Sequence, residues 1–372
     1  MTPHSSSPTT ISIGIIGCGR IAQAVHIPIL MRLRGARITA LADPDATRLS
    51  QASALAPHAA RFPDYARLLA TADVNAVVVS APPALHSEVA IAALQADKNV
   101  YLEKPLATTL EDAERVCDVW RSSGRVGMIG FNYRFNRLYQ EARKHLSSGS
   151  VGPLVAVRSI FSTTSDRLPD WTRSRSSGGG ALLDLASHDI DLIHFLFGRD
   201  AVDVSADLRS LENEHDTAVL QMRLADGVPV QLIAAIGTAE EALLEIYGQR
   251  GKITVNRYQG LAANVSGQRA TGWLGKLWSS APTVRDLPYF AQKLRAPMHE
   301  PSFAVALEHF LGAIRGRHPA GPDFHDGYRS LSVILAAEES ARAGRLETIE
   351  LPAREPDATG AAPSTVSGGT LK

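Results

Sequence analysis

Cysteine is nearly missing from this 372-residue chain, which has only Cys18 and Cys117. Two thiols give neither a disulfide framework nor the paired spacing of a zinc site, so the expected setting is the reducing cytoplasm and no metal is expected. Net charge is missing too, with 38 Lys and Arg against 38 Asp and Glu. Nucleic acid and anionic membrane surfaces favour a basic excess, so neither is an expected partner. No apolar run approaches the roughly 18 residues of a membrane span. Residues 1–10 are rich in Ser, Thr and Pro without the apolar core of a signal peptide. They read as a flexible N-terminus, and residues 352–372, rich in Pro, Ala, Gly, Ser and Thr, read as a disordered tail.

What is present is ordinary globular composition, 45% apolar and 20% charged, over a length that suggests about two domains. Residues 11–131 alternate short apolar strands with helical patterns. Strands are expected over 11–16, 36–42, 76–80, 99–102 and 125–131, and helices over 21–34, 86–96 and 110–123. Three consecutive valines, Val77 to Val79, read as a strand buried on both faces. This is the pattern of a doubly wound parallel sheet, a Rossmann domain. From residue 132 to 351 the pattern changes to strands joined by turns such as Asp226-Gly227 and Arg250-Gly251, with helices over 182–197, 302–315 and 328–343. The fold class is therefore α/β, a Rossmann domain followed by an α+β domain on a mostly antiparallel sheet. Residues 257–298 show no clear period and read as a long loop region.

Gly17-Cys18-Gly19-Arg20-Ile21-Ala22 follows the first strand and opens a helix. In that context Gly17 allows the tight turn, Gly19 lets a pyrophosphate approach the backbone, and the helix N-terminus at Arg20 and Ile21 favours the anion. Asp43 ends the second strand 24 residues after Gly19 and suits the adenosine ribose hydroxyls, favouring NAD, with NADP the alternative. Arg48 is either a solvated helix charge or a grip on a 2′-phosphate. Ser80, Pro82 and Pro83 follow the valine strand, where a proline pair gives a rigid apolar wall at the crevice, and His86 opens the next helix, either contacting the cofactor or serving as a helix-start or loop-packing residue. Glu103-Lys104-Pro105 follows the next strand and places an ammonium at the same edge. Farther on, Asp184 and His188 are four apart on one helix, with Asp191 near that face. A carboxylate beside an imidazole fits a general base, although such pairs also occur as surface hydrogen bonds. Asn132 and Arg134 at the domain junction, and Arg158, Trp171 and Arg173 before the glycines, are candidates to line a sugar pocket. Arg173 and Arg175 are also candidates for an anionic group.

Together, the glycine loop with His26 downstream, Pro82-Pro83 with His86, Glu103-Lys104-Pro105-Leu106, Gly130-Phe131-Asn132-Tyr133-Arg134-Phe135 and Gly179-Gly180 with Asp184, His188 and Asp191 resemble the Gfo/Idh/MocA family. That resemblance implies a large open sheet in the second domain, a homo-dimer or homo-tetramer formed through it, and NAD(P)-dependent oxidation of a sugar, cyclitol or sugar-derivative hydroxyl, or the reverse reduction. It implies active-site roles for Lys104, Asp184 and His188. His188 would take the hydroxyl proton, Lys104 would stabilise charge on the oxygen and Asp184 would orient His188. Ala186 stands where many members have glycine. Two other functions fit the same motifs, a non-catalytic NAD(P)-binding regulator and a glycosidase that uses NAD for a transient oxidation.

Overall fold

A computed structural model describes residues 10–165, 168–267 and 286–351. Residues 1–9 of the expected flexible N-terminus, the expected disordered tail 352–372 and part of the expected loop region, 268–285, lie outside the described residues.

Six strands form the first sheet: β1 (Ile11–Ile16), β2 (Ala36–Ala42), β3 (Ala60–Phe62), β4 (Ala76–Val79), β5 (Asn99–Leu102) and β6 (Gly127–Ile129). All pairs are parallel and the order is β3-β2-β1-β4-β5-β6. Its helices are α1 (Ile27–Leu30), preceded by a π-helical turn at Ala22–His26, then α2 (Ala46–Leu55), α3 (Tyr65–Thr71), α4 (His86–Gln95) and α5 (Leu110–Ser123). All four residues of β4 are completely buried. Burying each valine side chain contributes roughly 1.5–3 kcal/mol, which anchors the strand at the sheet centre. The helices α2 and α3 escape a search for apolar period because each buries a single residue, Ala52 and Leu68. Their caps are nonetheless legible: Asp45 accepts from the Thr47 and Arg48 N–H groups, and Asp64 from Arg67 N–H.

After α6 (Arg137–Ser147) comes the second sheet, built from β7 (Leu154–Thr163), β8 (Ala201–Arg209), β9 (Thr217–Leu224), β10 (Pro229–Ile236), β11 (Glu241–Gly248), β12 (Gly251–Asn256), β13 (Asn264–Gly267) and β14 (Glu347–Thr348). Its order is β13-β12-β11-β7-β10-β9-β8-β14, antiparallel except for β10 against β7. One face is covered by α7 (Ser187–Phe197), which a second π-helical turn at Leu182–Ala186 precedes.

The described part of the expected irregular stretch 257–298 holds β13 and α8 (Leu287–Arg295), and a 3-10 turn, Pro297–His299, begins at its end. Leu287, Phe290 and Leu294 of α8 share one apolar stripe at helical spacing, yet they are exposed while Tyr289 is buried. Two helices follow, α9 (Ser302–Ile314) and α10 (Phe324–Ala343). By sequence order α9 falls in the second domain. It packs on the first sheet instead, placing Ala306, Leu307, Phe310 and Leu311 in one core with Ile11, Ile13, Ile15 and Tyr101. The Tyr101 and Phe310 rings meet edge to face at 5.7 Å.

Candidate active site

The strand order reverses between β1 and β4, so the loops after these two strands border an open crevice, the place where doubly wound sheets take ligands. The glycine loop is tied into that crevice from three sides. Ser80 Oγ donates to Gly17 O at 2.8 Å, Cys18 N–H donates to Asp43 Oδ2 at 2.8 Å, and Gln23 Nε2 donates to Cys18 O at 2.7 Å. Gly17 has φ +87°, and a Cβ there would lie 2.5 Å from Ala81 N. Gly19 is the opposite case, since a Cβ there meets nothing within 4 Å. The open space beside Gly19, at a helix start whose first N–H groups lack intrahelical acceptors, fits the diphosphate of a dinucleotide. The two glycines therefore separate by experiment. Gly17→Ala should lower stability by about 1–3 kcal/mol or more through strain and collision. Gly19→Ala should leave the urea midpoint unchanged and weaken NADH binding, both read on the purified protein.

Asp43 is buried, and besides the Cys18 N–H it accepts Asp45 N–H at 2.8 Å and Arg48 Nε at 3.3 Å. Arg48 is half exposed and leans on Asp43 and Asp45, an intermediate between the two roles expected of it. Arg20 is exposed at the mouth of the loop.

Across the crevice, Lys104 Nζ donates both to Asp184 Oδ1 and to the Asp184 carbonyl, each at 2.6 Å. The pair is mostly enclosed, with side chains 13% and 14% exposed. It joins the end of β5 to the π-helical turn ahead of α7. Asp184 is thus held by Lys104, and no hydrogen bond links it to His188. This corrects the expectation that Asp184 orients His188: the ammonium occupies the carboxylate, and the π-helical turn breaks the 3.6-residue phase on which the pairing rested. What packs His188 is an aromatic wall. The Tyr133 ring lies 4.4 Å from the imidazole, Phe131 at 6.2 Å and Phe161 at 6.3 Å. His188 Nδ1 is enclosed without a partner, which leaves Nε2 as the nitrogen able to exchange a proton. Burial, reinforced by the charges of Lys104 and Arg257, pulls the imidazole well below its ordinary pKa, so it is neutral at pH 7.

Four expected site residues are committed elsewhere. Arg134 forks onto Asp191, with Nε to Oδ2 at 2.8 Å and Nη2 to Oδ1 at 2.5 Å, and also reaches Asp326. It is a mostly enclosed strut between the domain junction, α7 and α10, with all three of its nitrogens engaged by Asp191 and Asp326. Arg134→Ala leaves Asp191 buried without its counter-charge. It should cost about 3–5 kcal/mol in urea unfolding. Asn132 is buried and donates to Ser302 Oγ at 2.8 Å, pinning the junction to α9. Arg158 follows the period of β7: its neighbours Val157 and Ser159 are buried, Ser159 Oγ bonding Asp189 Oδ2 at 2.9 Å, so Arg158 points to the outer face beside Glu245. His86 is buried between the carbonyls of Pro105 at 2.6 Å and Ala81 at 2.9 Å, a staple between two loops in keeping with the loop-packing role.

Pro82 is exposed, whereas Pro83 is buried under the second domain, where a Cβ on Gly178 would sit 2.4 Å from its Cβ. Trp171 is half-buried, and a Cβ on Gly179 would collide with its carbonyl oxygen at 2.7 Å. Arg173 is exposed and faces Asp170, while Arg175 is clamped by Glu338 and the Thr108 carbonyl. Glu103 Oε1 pairs with His26 Nε2 at 2.9 Å beneath the glycine loop. Sequence reasoning missed Arg257, whose guanidinium is buried 4.2 Å over Tyr133, 4.4 Å over Tyr258 and 5.0 Å over Phe161. Only Tyr258 is its neighbour in sequence, while Tyr133 and Phe161 arrive from distant segments. Among the described residues no cluster of three or more metal-ligating side chains occurs, and no helix is long and apolar enough to cross a membrane.

Comparison with known proteins gives two family matches, "Oxidoreductase family, NAD-binding Rossmann fold" over residues 11–131 and "GFO/IDH/MocA C-terminal domain" over residues 139–254. An inositol 2-dehydrogenase of Saccharopolyspora erythraea is 29% identical over 92% of this chain and 96% of its own length. A myo-inositol 2-dehydrogenase of Thermotoga maritima is 26% identical over 91% and 98%. Among solved structures, the WlbA dehydrogenase from Bordetella pertussis, in complex with NADH and UDP-GlcNAcA, has the same fold. It has a TM-score of 0.79 at 24% identity, covering 93% of this chain and 99% of that one.

Proposed function

This chain belongs to the GFO/IDH/MocA oxidoreductase family, whose Rossmann domain binds NAD, and from that premise we propose that it is a dehydrogenase acting on a secondary hydroxyl of a cyclitol or sugar. The observation that carries the reading is the Lys104–Asp184 pair, bridging the two domains at the carboxyl edge of the first sheet with His188 one turn farther on. NAD, when bound, supplies the hydride acceptor. The rest falls to side chains of this chain. Lys104 Nζ is a fixed ammonium that stabilises negative charge gathering on the substrate oxygen. His188 Nε2 takes the hydroxyl proton, and it is ready to do so because the imidazole is neutral at pH 7. Asp184 holds the ammonium in place rather than the imidazole. Tyr133, Phe131 and Phe161 exclude water from the imidazole and fix its plane. Inositol dehydrogenases among the full-length relatives support a cyclitol as the first substrate to try.

The test is NADH formation, followed by absorbance and fluorescence, when the purified chain and NAD meet a panel of inositols and free sugars. NADH should accumulate with at least one of them. NADH binding without turnover of any would replace this reading with a regulator. Glycoside cleavage without net NADH would replace it with a transiently oxidising glycosidase.

A further inference from the structure

The loop between β8 and β9 is built with unusual care for a surface connection. The carboxylate of Asp216 accepts the N–H groups of Leu211, Glu212 and Asn213, at 3.0, 2.7 and 3.0 Å through Oδ2. Ser210 Oγ accepts His215 N–H at 3.0 Å. This cage holds His215 at φ +51°, a left-handed conformation that is uncommon for any residue with a Cβ and costs glycine least. The loop rests on the segment leading into the Asp184 helix. The His215 carbonyl accepts Ala181 N–H at 2.7 Å, Glu214 N–H donates to Arg173 O at 3.1 Å, and a Cβ on Gly180 would lie 3.3 Å from the His215 Cβ. Asp184 N–H in turn donates to Gly180 O at 3.0 Å. His215 therefore borders the first turn of the helix that carries Asp184 and His188. Among the described residues neither nitrogen of its ring is hydrogen-bonded, and Nδ1 is enclosed. The backbone duties of this position need no imidazole, and the turn would be easier without one.

We propose that His215 is a substrate-contacting residue, whose imidazole hydrogen-bonds a hydroxyl of the polyol remote from the one oxidised. The proposal rests on the reading that the polyol lies against Lys104 and Asp184. A bond of this kind is made equally before and during hydride transfer, so its loss shows in KM rather than kcat.

His215→Asn and His215→Gly both preserve the left-handed turn. With the best polyol of the panel, each should raise KM about tenfold or more and keep kcat within about threefold. NADH affinity should be unchanged, and the thermal midpoint equal to wild type or higher. An unchanged KM in both variants overturns the proposal, as does a loss confined to kcat. Should the wild-type chain bind NADH yet oxidise no polyol, the dehydrogenase reading fails separately. His215 is then judged by titrating the NADH complex with myo-inositol and following cofactor fluorescence. A wild-type response that both variants lose upholds the contact, and identical titrations or no response from any protein overturns it.

Discussion

Lys104→Met lowers kcat with the polyol substrate by about 10²–10³-fold, the scale of removing one fixed donor from a developing oxyanion. Methionine fills much the same volume, so packing changes little while the ammonium disappears. NADH affinity should hold, because the diphosphate site at Gly19 lies on another loop. Asp184 gives the variant a second signature. Its Oδ1 and carbonyl both lose their 2.6 Å partner, and the carboxylate is left in a mostly enclosed site. The thermal midpoint should therefore fall, and Asp184→Asn added to Lys104→Met should recover part of that loss by removing the stranded charge. Lys104→Arg keeps the charge but offers a planar fork in place of a compact point donor, and recovers little turnover. Wild-type kcat in Lys104→Met would remove the ammonium from the mechanism.

His188→Ala should lower kcat by about 10²-fold or more, the range of general acid–base catalysis. The pH profile supplies an independent readout. Burial first, and then the Lys104 and Arg257 charges, depress the imidazole pKa well below 6.5. A base must be unprotonated to act, so kcat/KM should stay level as pH falls through 6.5 and decline only well below it. Protein stability follows the same sign. The unfolded chain protonates His188 near its ordinary pKa while the native state resists, so this group erodes stability as pH falls below about 6.5. Arg257→Met removes one of the two cations and should move the acidic limb upward without abolishing turnover. A limb at or above 6.5 in the wild-type protein would mean that His188 is not the base, or that it is not buried in the working enzyme.

The parts of this molecule that a reader of the sequence can find are those whose cause is local. A glycine loop between strand and helix, a valine run, and Glu103-Lys104-Pro105 at a strand end each carry their reason within a few residues. Asp184 and His188 were legible as residues but not as a pair, because Asp184's partner lies 80 residues away, in the loop after β5. Arg134 misled for the same reason: its carboxylates, Asp191 and Asp326, are 57 and 192 residues distant, and nothing near position 134 distinguishes a strut from a substrate grip. Arg158 was the avoidable error. Its strand register was visible, and period-two alternation with Val157 sends it away from the helix-covered face. His215 carries its signal in φ, a quantity no reading of residue types contains.

The placement of α9 bears on how the chain is made. Synthesis delivers β1 through β6 first, yet the helix that covers Ile11, Ile13, Ile15 and Tyr101 emerges roughly 170 residues later. At ordinary elongation rates that is a wait of roughly 10–30 s. For that interval the core beneath the first sheet, already partly filled by Val25, Ile27 and Leu30, lacks the share that Ala306, Leu307, Phe310 and Leu311 bring. The nucleotide-binding half therefore depends for part of its core on a helix that is translated only after β7 through β13 of the second sheet.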